Sequence, residues 1–289
     1  MDNSALVPIF TPPPIGGFIE NPNKYQYKIL SVLKSGAFGT VYLGVDVFEV
    51  QYAIKVFKPS GTYDEVRLRW QEEADKLRAL FHPYIAYMHD VFEYKCAFYI
   101  VMELLGSPLS SFVKGAPVFD DDQILEVGRQ ILFGMSFIHW HQIVHRDLSL
   151  DNVLFSRDKT GVKITDFGVS KLLNPFAEKQ PPEPPFQQSI VCPDLLRFGF
   201  TIPQSDLYHL GLILLALKIG KPWIDPSSSG EDITKSCNDG MPRQLAESLH
   251  CPLGDKISIL LRRRAEFRYQ SAMDAWNDFR SLAKNRSFN

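Results

Sequence analysis

The stretch HRDLSLDNVLF, residues 145–155, places two side chains suited to metal and phosphate chemistry five positions apart. Asp147 supplies a carboxylate and Asn152 an amide, on a predicted loop that runs from a helix into the apolar pair Val153–Leu154. Fourteen residues after Asn152, the stretch ITDFG places a second acid, Asp166, at a predicted strand end before a glycine. Two acids and one amide are hard oxygen ligands, the set that magnesium bound to a polyphosphate requires.

Upstream of this stretch, a lysine in a strand and a glutamate in a helix form a second candidate pair. Lys55 lies within YAIKVF, where its apolar neighbours indicate burial, so its ammonium group requires a counter-ion or a phosphate. Glu73, eighteen residues later, lies near the helix face that carries Leu77 and can pair with Lys55. The alternatives are a lysine at a strand edge with its ammonium group in water and a solvated glutamate on a helix surface.

A glycine-containing stretch precedes the strand of Lys55. In LKSGAFGTVYLG, residues 33–44, Gly36 and Gly39 allow a strand–turn–strand to pass its backbone close over a phosphate. A plain hairpin with a glycine turn is the alternative, and it is the more frequent explanation of such a match taken alone.

The secondary-structure pattern divides the chain into a strand-rich part and a helical part. The first hundred or so residues contain the predicted strands YKILSVL, GTVYLGVD, YAIKVF and AFYIVMELL, and one helix over about 64–80. From residue 108 onward helical spacing dominates, as in DDQILEVGRQILFGMSFIHWH at 121–141. This stretch has a predicted apolar stripe through Ile124, Val127, Ile131, Met135 and Ile138. The insert at 172–188 has five prolines and is not expected to form regular structure. An α+β fold with two lobes and a cleft is predicted.

Composition bounds the class of protein. The chain has 289 residues, of which 45% are hydrophobic and 22% charged, and its net charge of -2 lacks the basic excess of a nucleic-acid binder. The four cysteines form no CxxC pair, which argues against structural zinc and for a reducing compartment. The longest apolar run, residues 210–220, is about half of the roughly 20 residues of a membrane span and is predicted to be a buried helix. We recognise no secretory signal. We expect a soluble cytoplasmic or nuclear protein.

Taken together, these motifs resemble the eukaryotic protein kinase superfamily, because the loop glycines, AIK, the helix glutamate, HRDxxxxN and DFG occur in the family order. The resemblance runs from about Tyr25 to Phe279 and extends to HisPro at 82–83, Asp206 in SDLYHLG, and Arg268. It implies a two-lobed α+β kinase fold. The implied organisation is a proline-rich flexible segment at 1–24 and a kinase domain at 25–283, with N-lobe about 25–102, hinge 103–107 and C-lobe 108–283.

The resemblance also implies roles for the candidate residues. Lys55 would hold the α and β phosphates of ATP and be aligned by Glu73. Asp147 would orient a substrate hydroxyl and accept its proton, and Asn152 and Asp166 would bind Mg²⁺. ATP and Mg²⁺ are therefore the expected cofactors.

A set of nucleotide-contacting residues follows from the same resemblance. Val41, Ala53 and Leu154 would sandwich the adenine ring, although plain core packing is a second role for these three residues. Met102 would be the gatekeeper, and the backbone near Glu103 would supply hydrogen bonds. The full set is Leu33, Lys34, Ser35, Gly36, Ala37, Phe38, Gly39, Thr40, Val41, Ala53, Lys55, Met102, Glu103, Leu105 and Leu154.

Five positions depart from the family pattern. Lys34 replaces the first glycine of the loop, and Ser149 replaces the lysine that would neutralise the γ-phosphate during transfer to serine or threonine. Gln187 stands where the threonine that contacts the catalytic aspartate is usual. CysProAsp at 192–194 replaces AlaProGlu, and its aspartate can still pair with Arg268.

The expected function is that of a protein kinase that transfers the γ-phosphoryl group of ATP to a protein hydroxyl, serine or threonine in preference to tyrosine. The alternative is a nucleotide-binding pseudokinase that acts as a scaffold or allosteric partner, for which Ser149 is the best argument. A protein substrate and ATP are the expected partners, with no nucleic acid and no membrane span. The sequence leaves the oligomeric state open.

Overall fold

A computed structural model describes residues 11–36, 39–59, 61–172, 191–225 and 227–284. The chain divides into two compact units, Met1–His82 with Ala86–Leu105, and Pro83–Ile85 with Gly106–Asn289. The first unit is rich in strands and the second in helices, so the predicted α+β fold is confirmed. Ala37 and Phe38 of the glycine loop, Gln187, and the proline-rich insert from residue 173 lie outside the described residues.

The first unit is built on a six-stranded antiparallel sheet in the order β1-β2-β3-β4-β6-β5. Its strands are β1 Phe18–Glu20, β2 Gln26–Ser35, β3 Gly39–Asp46, β4 Gln51–Phe57, β5 Met88–Tyr94 and β6 Ala97–Glu103. Alternate residues of β4 point to opposite faces. Ile54 and Val56 therefore enter an aromatic-rich core that includes Tyr27 and Tyr99, while Lys55 lies on the other face.

Strand β1 lies within the segment that the sequence analysis expected to be a flexible lead-in. Its central residue, Ile19, is buried, and the strand pairs with residues 26–28 of β2. Just after the strand, the Asn21 side chain donates a 2.7 Å hydrogen bond to the Asp90 carboxylate. The sheet therefore begins before residue 25, the expected start of the domain.

One helix, α1 Tyr63–Ala79, packs against the sheet of the first unit. The helix begins at a capping box, in which the Thr62 hydroxyl accepts from the Glu65 amide and the Glu65 carboxylate accepts from the Thr62 amide. The Trp70 indole donates to the Tyr99 carbonyl at 3.1 Å and ties the helix to β6. These contacts fix which helix residues face the sheet, and Glu73 is among the buried ones.

The second unit is mainly helical. Its helices are α2 Asp121–Trp140, α3 Pro193–Phe198, α4 Pro203–Ile219, α5 Gly230–Asp239, α6 Met241–Glu247, α7 Pro252–Leu260 and α8 Ala272–Lys284. Short strands β7 Ile143–Val144 and β10 Lys171–Leu172 form one ribbon, and β8 Val153–Phe155 and β9 Val162–Ile164 form another. Single-turn 3₁₀ helices occupy Leu109–Phe112 and Ala265–Phe267.

The core of the second unit is formed by α2 and α4. The predicted stripe of α2 is buried along its length, at Ile124, Val127, Ile131, Met135 and Ile138. The apolar run at 210–220 belongs to α4, which is buried on most of its surface, as predicted for a core helix. Across the described ranges, we find no helix that combines the length and the apolar character needed to cross a membrane.

Candidate active site

In the first unit, Lys55 and Glu73 form a buried ion pair. The Lys55 Nζ atom lies 2.7 Å from Oε1 and 2.9 Å from Oε2 of Glu73. The exposed fraction is 6% for Lys55 and 2% for Glu73, so neither side chain is the solvated surface group that was the alternative. The Nζ atom also lies 5.2 Å from the centroid of the Phe57 ring. The predicted pairing is confirmed.

The sheet register collects the predicted adenine-contacting residues of the first unit on the face that carries Lys55. Val41 lies opposite Lys55 in the β3–β4 pairing, and Ala53 lies opposite Met102 in the β4–β6 pairing. Val41, Ala53 and Met102 are all partly buried. Leu154, the third residue predicted to sandwich the adenine ring, belongs to β8 of the second unit, where it pairs with Lys163.

The glycine loop connects β2 to β3, and its two ends are held by hydrogen bonds. Ser35 pairs with Thr40, and the Gly36 amide donates to the Gly39 carbonyl at 2.9 Å. A Cβ atom at residue 39 would lie 2.7 Å from the Val56 carbonyl oxygen, so packing within the sheet already requires glycine there. At residue 36 the nearest atom among the described residues would be 3.9 Å away, so packing against those residues does not require the absence of a side chain.

Lys58, which the sequence analysis did not single out, holds the first turn of the same loop. Its Nζ atom donates to the Gly36 carbonyl at 2.7 Å and to the Ser35 hydroxyl at 3.0 Å. Lys58 and its two partners are separated by 22 and 23 positions in the sequence, so no local spacing indicates these contacts.

In the second unit, the structure brings residues 145–152, named the catalytic loop after their place in the kinase resemblance, together with the start of the DFG stretch. The Asn152 side-chain nitrogen donates to the Asp147 carboxylate and to the Asp147 carbonyl, each at 2.9 Å. The Asn152 carbonyl accepts from the Thr165 amide at 2.9 Å, and Thr165 directly precedes Asp166. The three predicted polar residues are thus linked through Asn152, which is itself buried.

Two residues of this region adopt the left-handed backbone conformation, Arg146 at φ 73° and Asp166 at φ 64°. Such residues are uncommon outside glycine, cost about 1–3 kcal/mol each and cluster at functional sites. Asp206 stabilises the backbone conformation of Arg146. Its two carboxylate oxygens accept hydrogen bonds from the backbone amides of His145 at 2.8 Å and Arg146 at 2.9 Å. The buried carboxylate of Asp206 therefore fixes the backbone of this loop.

Asp206 is completely buried at the start of α4, and histidines surround its carboxylate. Burial by itself would raise the pKa of Asp206, but the hydrogen bond from His139 at 2.9 Å and the other imidazoles nearby bring the pKa below its usual value. Asp206 is therefore an anion that anchors the catalytic loop. The sequence pattern indicated Asp206 through the family resemblance, whereas nothing in the pattern indicated its partner His139.

The predicted pair of Asp194 and Arg268 is also confirmed. The two Arg268 terminal nitrogens lie 2.6 and 3.3 Å from the Asp194 carboxylate, and the Ser205 hydroxyl donates to the same carboxylate at 2.9 Å. The shorter side chain at residue 194 therefore still reaches its partner. Burial raises the pKa of the neighbouring Cys192 thiol to about 12, which makes this cysteine a packing residue and not a nucleophile.

Ser149, the residue that departs from the family pattern, lies in the turn of the catalytic loop. Its carbonyl accepts from the Asn152 amide at 3.1 Å, and this backbone contact does not depend on the side chain. The next acid, Asp151, accepts a hydrogen bond from the Ser110 hydroxyl at 2.5 Å. The loop therefore keeps its shape without the usual lysine.

Comparisons with known proteins agree with this geometry. The protein kinase domain family model matches residues 27–271. A probable serine/threonine-protein kinase PknB of Lactococcus lactis is 33% identical over 221 residues, 75% of this chain and 35% of that protein. The serine/threonine-protein kinase PrkC of Bacillus subtilis is 28% identical over 263 residues, 89% of this chain and 40% of that protein. The chain thus spans well under half the length of these relatives, and it belongs to the protein kinase superfamily.

Proposed function

We propose that the chain transfers the γ-phosphoryl group of ATP to a hydroxyl group of a protein, on serine or threonine in preference to tyrosine. The observation that carries the proposal is the catalytic loop, in which Asp147 is held by the buried amide of Asn152 next to the strained Asp166. The names of the similar proteins, which are serine/threonine kinases, support the choice of hydroxyl.

Asp147 is the proposed base. In phosphoryl transfer the protein contributes mainly positioning and electrostatic stabilisation, and a carboxylate near the attacking hydroxyl orients it and accepts its proton. The hydrogen bond from Asn152 restricts rotation of the Asp147 carboxylate, which reduces the cost of orienting the substrate hydroxyl.

The proposed cofactors fit the chemistry of the residues that would hold them. The Asn152 amide oxygen and the Asp166 carboxylate are hard oxygen donors suited to Mg²⁺. When bound, Mg²⁺ would neutralise negative charge on the phosphates. Lys55 would supply a further positive charge to the α and β phosphates, and Glu73 keeps its ammonium group in place.

Lys55→Met is expected to lower the rate of phosphoryl transfer by at least about 100-fold, because it removes a cation from the phosphates. Activity assays with Lys28→Met, which removes an exposed lysine of β2, provide the matched control. Because Glu73 is buried, the single variant also leaves a charge without its partner, so Lys55→Met should be compared with Lys55→Met/Glu73→Gln. Full activity in either variant would remove Lys55 from the mechanism.

ATP is expected to bind at least about tenfold more tightly with Mg²⁺ than in a chelator, since the carboxylate of Asp166 otherwise opposes the phosphates. Calorimetric titration of the wild type and of Asp166→Asn measures this difference. Asparagine tolerates the left-handed backbone at residue 166, so this variant should keep the fold and lose most of the metal dependence. Equal affinities with and without metal in the wild type would contradict the proposed metal site.

The direct test of the proposed function is transfer of labelled phosphate from ATP to a mixture of peptides that carry serine, threonine or tyrosine, followed by analysis of the labelled amino acid. Label on serine or threonine supports the proposal, and label on tyrosine alone would correct the choice of hydroxyl.

The observation that favours the second candidate, a nucleotide-binding scaffold, is Ser149, because this loop position lacks the cation that is usual there. Nucleotide binding without any transfer would favour that candidate.

A further inference from the structure

The second unit carries an arginine-rich groove that the proposed phosphoryl transfer does not use. The groove has a volume of about 1080 Å³ and is formed by α3, the junction of α5 and α6, and the loop 262–267. Its lining residues are Pro193, Leu196, Arg197, Asn238, Asp239, Gly240, Arg243, Gln244, Glu247, Arg262, Arg263, Arg264 and Phe267.

The lining of this groove is strongly positive. Five arginines and two carboxylates give it a formal charge of 5 − 2 = +3, whereas the whole chain has a net charge of -2. Within the groove, Arg243 is paired with Glu247 at 2.7 Å. Among the residues that the structure describes, no carboxylate lies within ion-pair distance of Arg263 or Arg264, and both side chains are exposed. A positive field of this kind attracts an anionic partner.

The backbone beneath these arginines is fixed by the buried ion pair of Asp194 and Arg268. Arg268 donates to the Arg262 carbonyl at 2.6 Å and to the Arg263 carbonyl at 3.1 Å, while its other contacts hold Asp194 at the start of α3. One buried guanidinium therefore links two walls of the groove. A preorganised site of this kind loses less conformational freedom when a partner binds.

Local contacts also orient individual side chains in the groove. Arg262 donates to the Phe267 carbonyl at 2.8 Å, which directs its guanidinium along the loop. Gly240 has φ 74°, and a Cβ atom there would lie 3.5 Å from Cδ of Arg263, so the aliphatic part of Arg263 lies against the glycine. Glycine adopts the left-handed conformation of the turn between α5 and α6 without strain, and its lack of a side chain makes room for Arg263 at the base of the groove.

We infer that this groove binds an acidic segment of a protein partner. Alongside the arginines it exposes apolar surface, with Leu196 37% and Phe267 54% exposed, which suits a peptide that carries an apolar side chain between its carboxylates. The carboxylates of Asp239 and Glu247 would repel the continuous phosphate charge of a nucleic acid, and the negative net charge of the chain offers no broader attraction to one.

The expected partner is a protein substrate that carries acidic residues outside its phosphorylated position. In this respect the inference rests on the proposed kinase function. No lining residue belongs to the catalytic loop, the DFG stretch or the Lys55–Glu73 pair. Binding at the groove can therefore be measured without phosphoryl transfer, so failure of the groove and failure of the kinase activity give different results.

The test uses fluorescence anisotropy with the full chain and a short labelled peptide in which glutamates and aspartates flank a central phenylalanine. The comparison peptide has glutamine and asparagine in place of the acids. The groove variant is Arg263→Gln/Arg264→Gln, and Arg197→Gln on α3 provides an independent variant. The matched control is Arg67→Gln/Arg280→Gln, which removes two exposed arginines outside the groove.

The acidic peptide is expected to bind the groove variant about tenfold more weakly than the wild type, and the control variant with unchanged affinity. Added salt should weaken binding to the wild type more than to the groove variant. The inference fails if the wild type does not bind the acidic peptide, if all variants bind it equally, or if the neutral peptide binds as tightly. Tighter binding of a single-stranded RNA, lost in the groove variant, would overturn it in favour of nucleic acid.

Discussion

Asp147→Asn is expected to reduce phosphoryl transfer by about 10²–10⁴-fold, because it removes the proposed base while keeping the size of the side chain. The hydrogen bond between residues 147 and 152 can persist in the variant, since an asparagine oxygen also accepts from the Asn152 amide. The loop should therefore keep its shape, and the affinity for ATP should change little.

Initial rates of label transfer and calorimetric ATP titrations on the same preparation separate these two effects. The matched control is Asp151→Asn, which makes the same substitution four residues later in the same loop, at an exposed position. We expect the control to keep most of the activity, because the Asp151 carboxylate accepts a hydrogen bond from the Ser110 hydroxyl and, within the described part of the chain, from no other residue. If Asp147→Asn and Asp151→Asn have equal rates, Asp147 is not the base.

Arg268→Met is expected to lower the free energy of unfolding by about 3–5 kcal/mol, the usual cost of removing one partner from a buried ion pair. The substitution leaves the Asp194 carboxylate buried, with the Ser205 hydroxyl as its remaining hydrogen-bond donor among the contacts described above. It also removes the donor to three backbone carbonyls, those of Gln204, Arg262 and Arg263.

Denaturant unfolding of Arg268→Met and of the double variant Arg268→Met/Asp194→Leu separates two contributions to the loss of stability. One is the unpaired charge of Asp194, and the other is the loss of the hydrogen bonds from Arg268 to the backbone carbonyls. The double variant should recover part of the loss, because it no longer buries an unpaired charge. Arg280→Met, at an exposed position of α8, should change the free energy of unfolding by less than about 0.5 kcal/mol. A loss for Arg268→Met no larger than that of Arg280→Met would show that the buried pair does not stabilise the unit.

The parts of the fold that the sequence predicted are those whose signal is local. The helix predicted over about 64–80 spans 63–79 in the structure, and its start is set by the capping box at Thr62. The apolar stripe of α2 has a regular spacing that only a helix buries on one side, and all of its predicted members are buried.

Two strands of the six-stranded sheet, β1 and β5, were not predicted, and each has a weak local signal. Strand β5, MHDVFEY, has one buried residue, Phe92, so neither alternation nor an apolar run marks it. Strand β1 has three residues and follows a proline-rich stretch, and only its pairing with β2 makes it a strand. Backbone pairing with the next strand along the chain, and not the side-chain pattern, decided both cases.

The residues of the candidate site also divide into those that the sequence predicted and those that it did not. The pair Lys55–Glu73 was predictable from the apolar neighbours of the lysine and the helix face of the glutamate. The pair Asp194–Arg268 was predictable because the family resemblance supplied partners that lie far apart in the sequence. Lys58 and His139 have no such signal, since each contacts its partner through the tertiary fold alone. The arginine groove was also unpredicted, because its walls come from separate segments whose arginines look like ordinary surface residues.

Strand β1 determines where a shorter recombinant fragment of this chain should begin. A fragment that starts at residue 25, at the beginning of the recognisable motifs, would lack residues 18–20 and expose the edge of β2. It would also lose Ile19 from the core and the Asn21 contact to Asp90. An uncovered strand edge promotes pairing between molecules and aggregation. The N-terminal boundary of a well-behaved fragment therefore lies before Phe18.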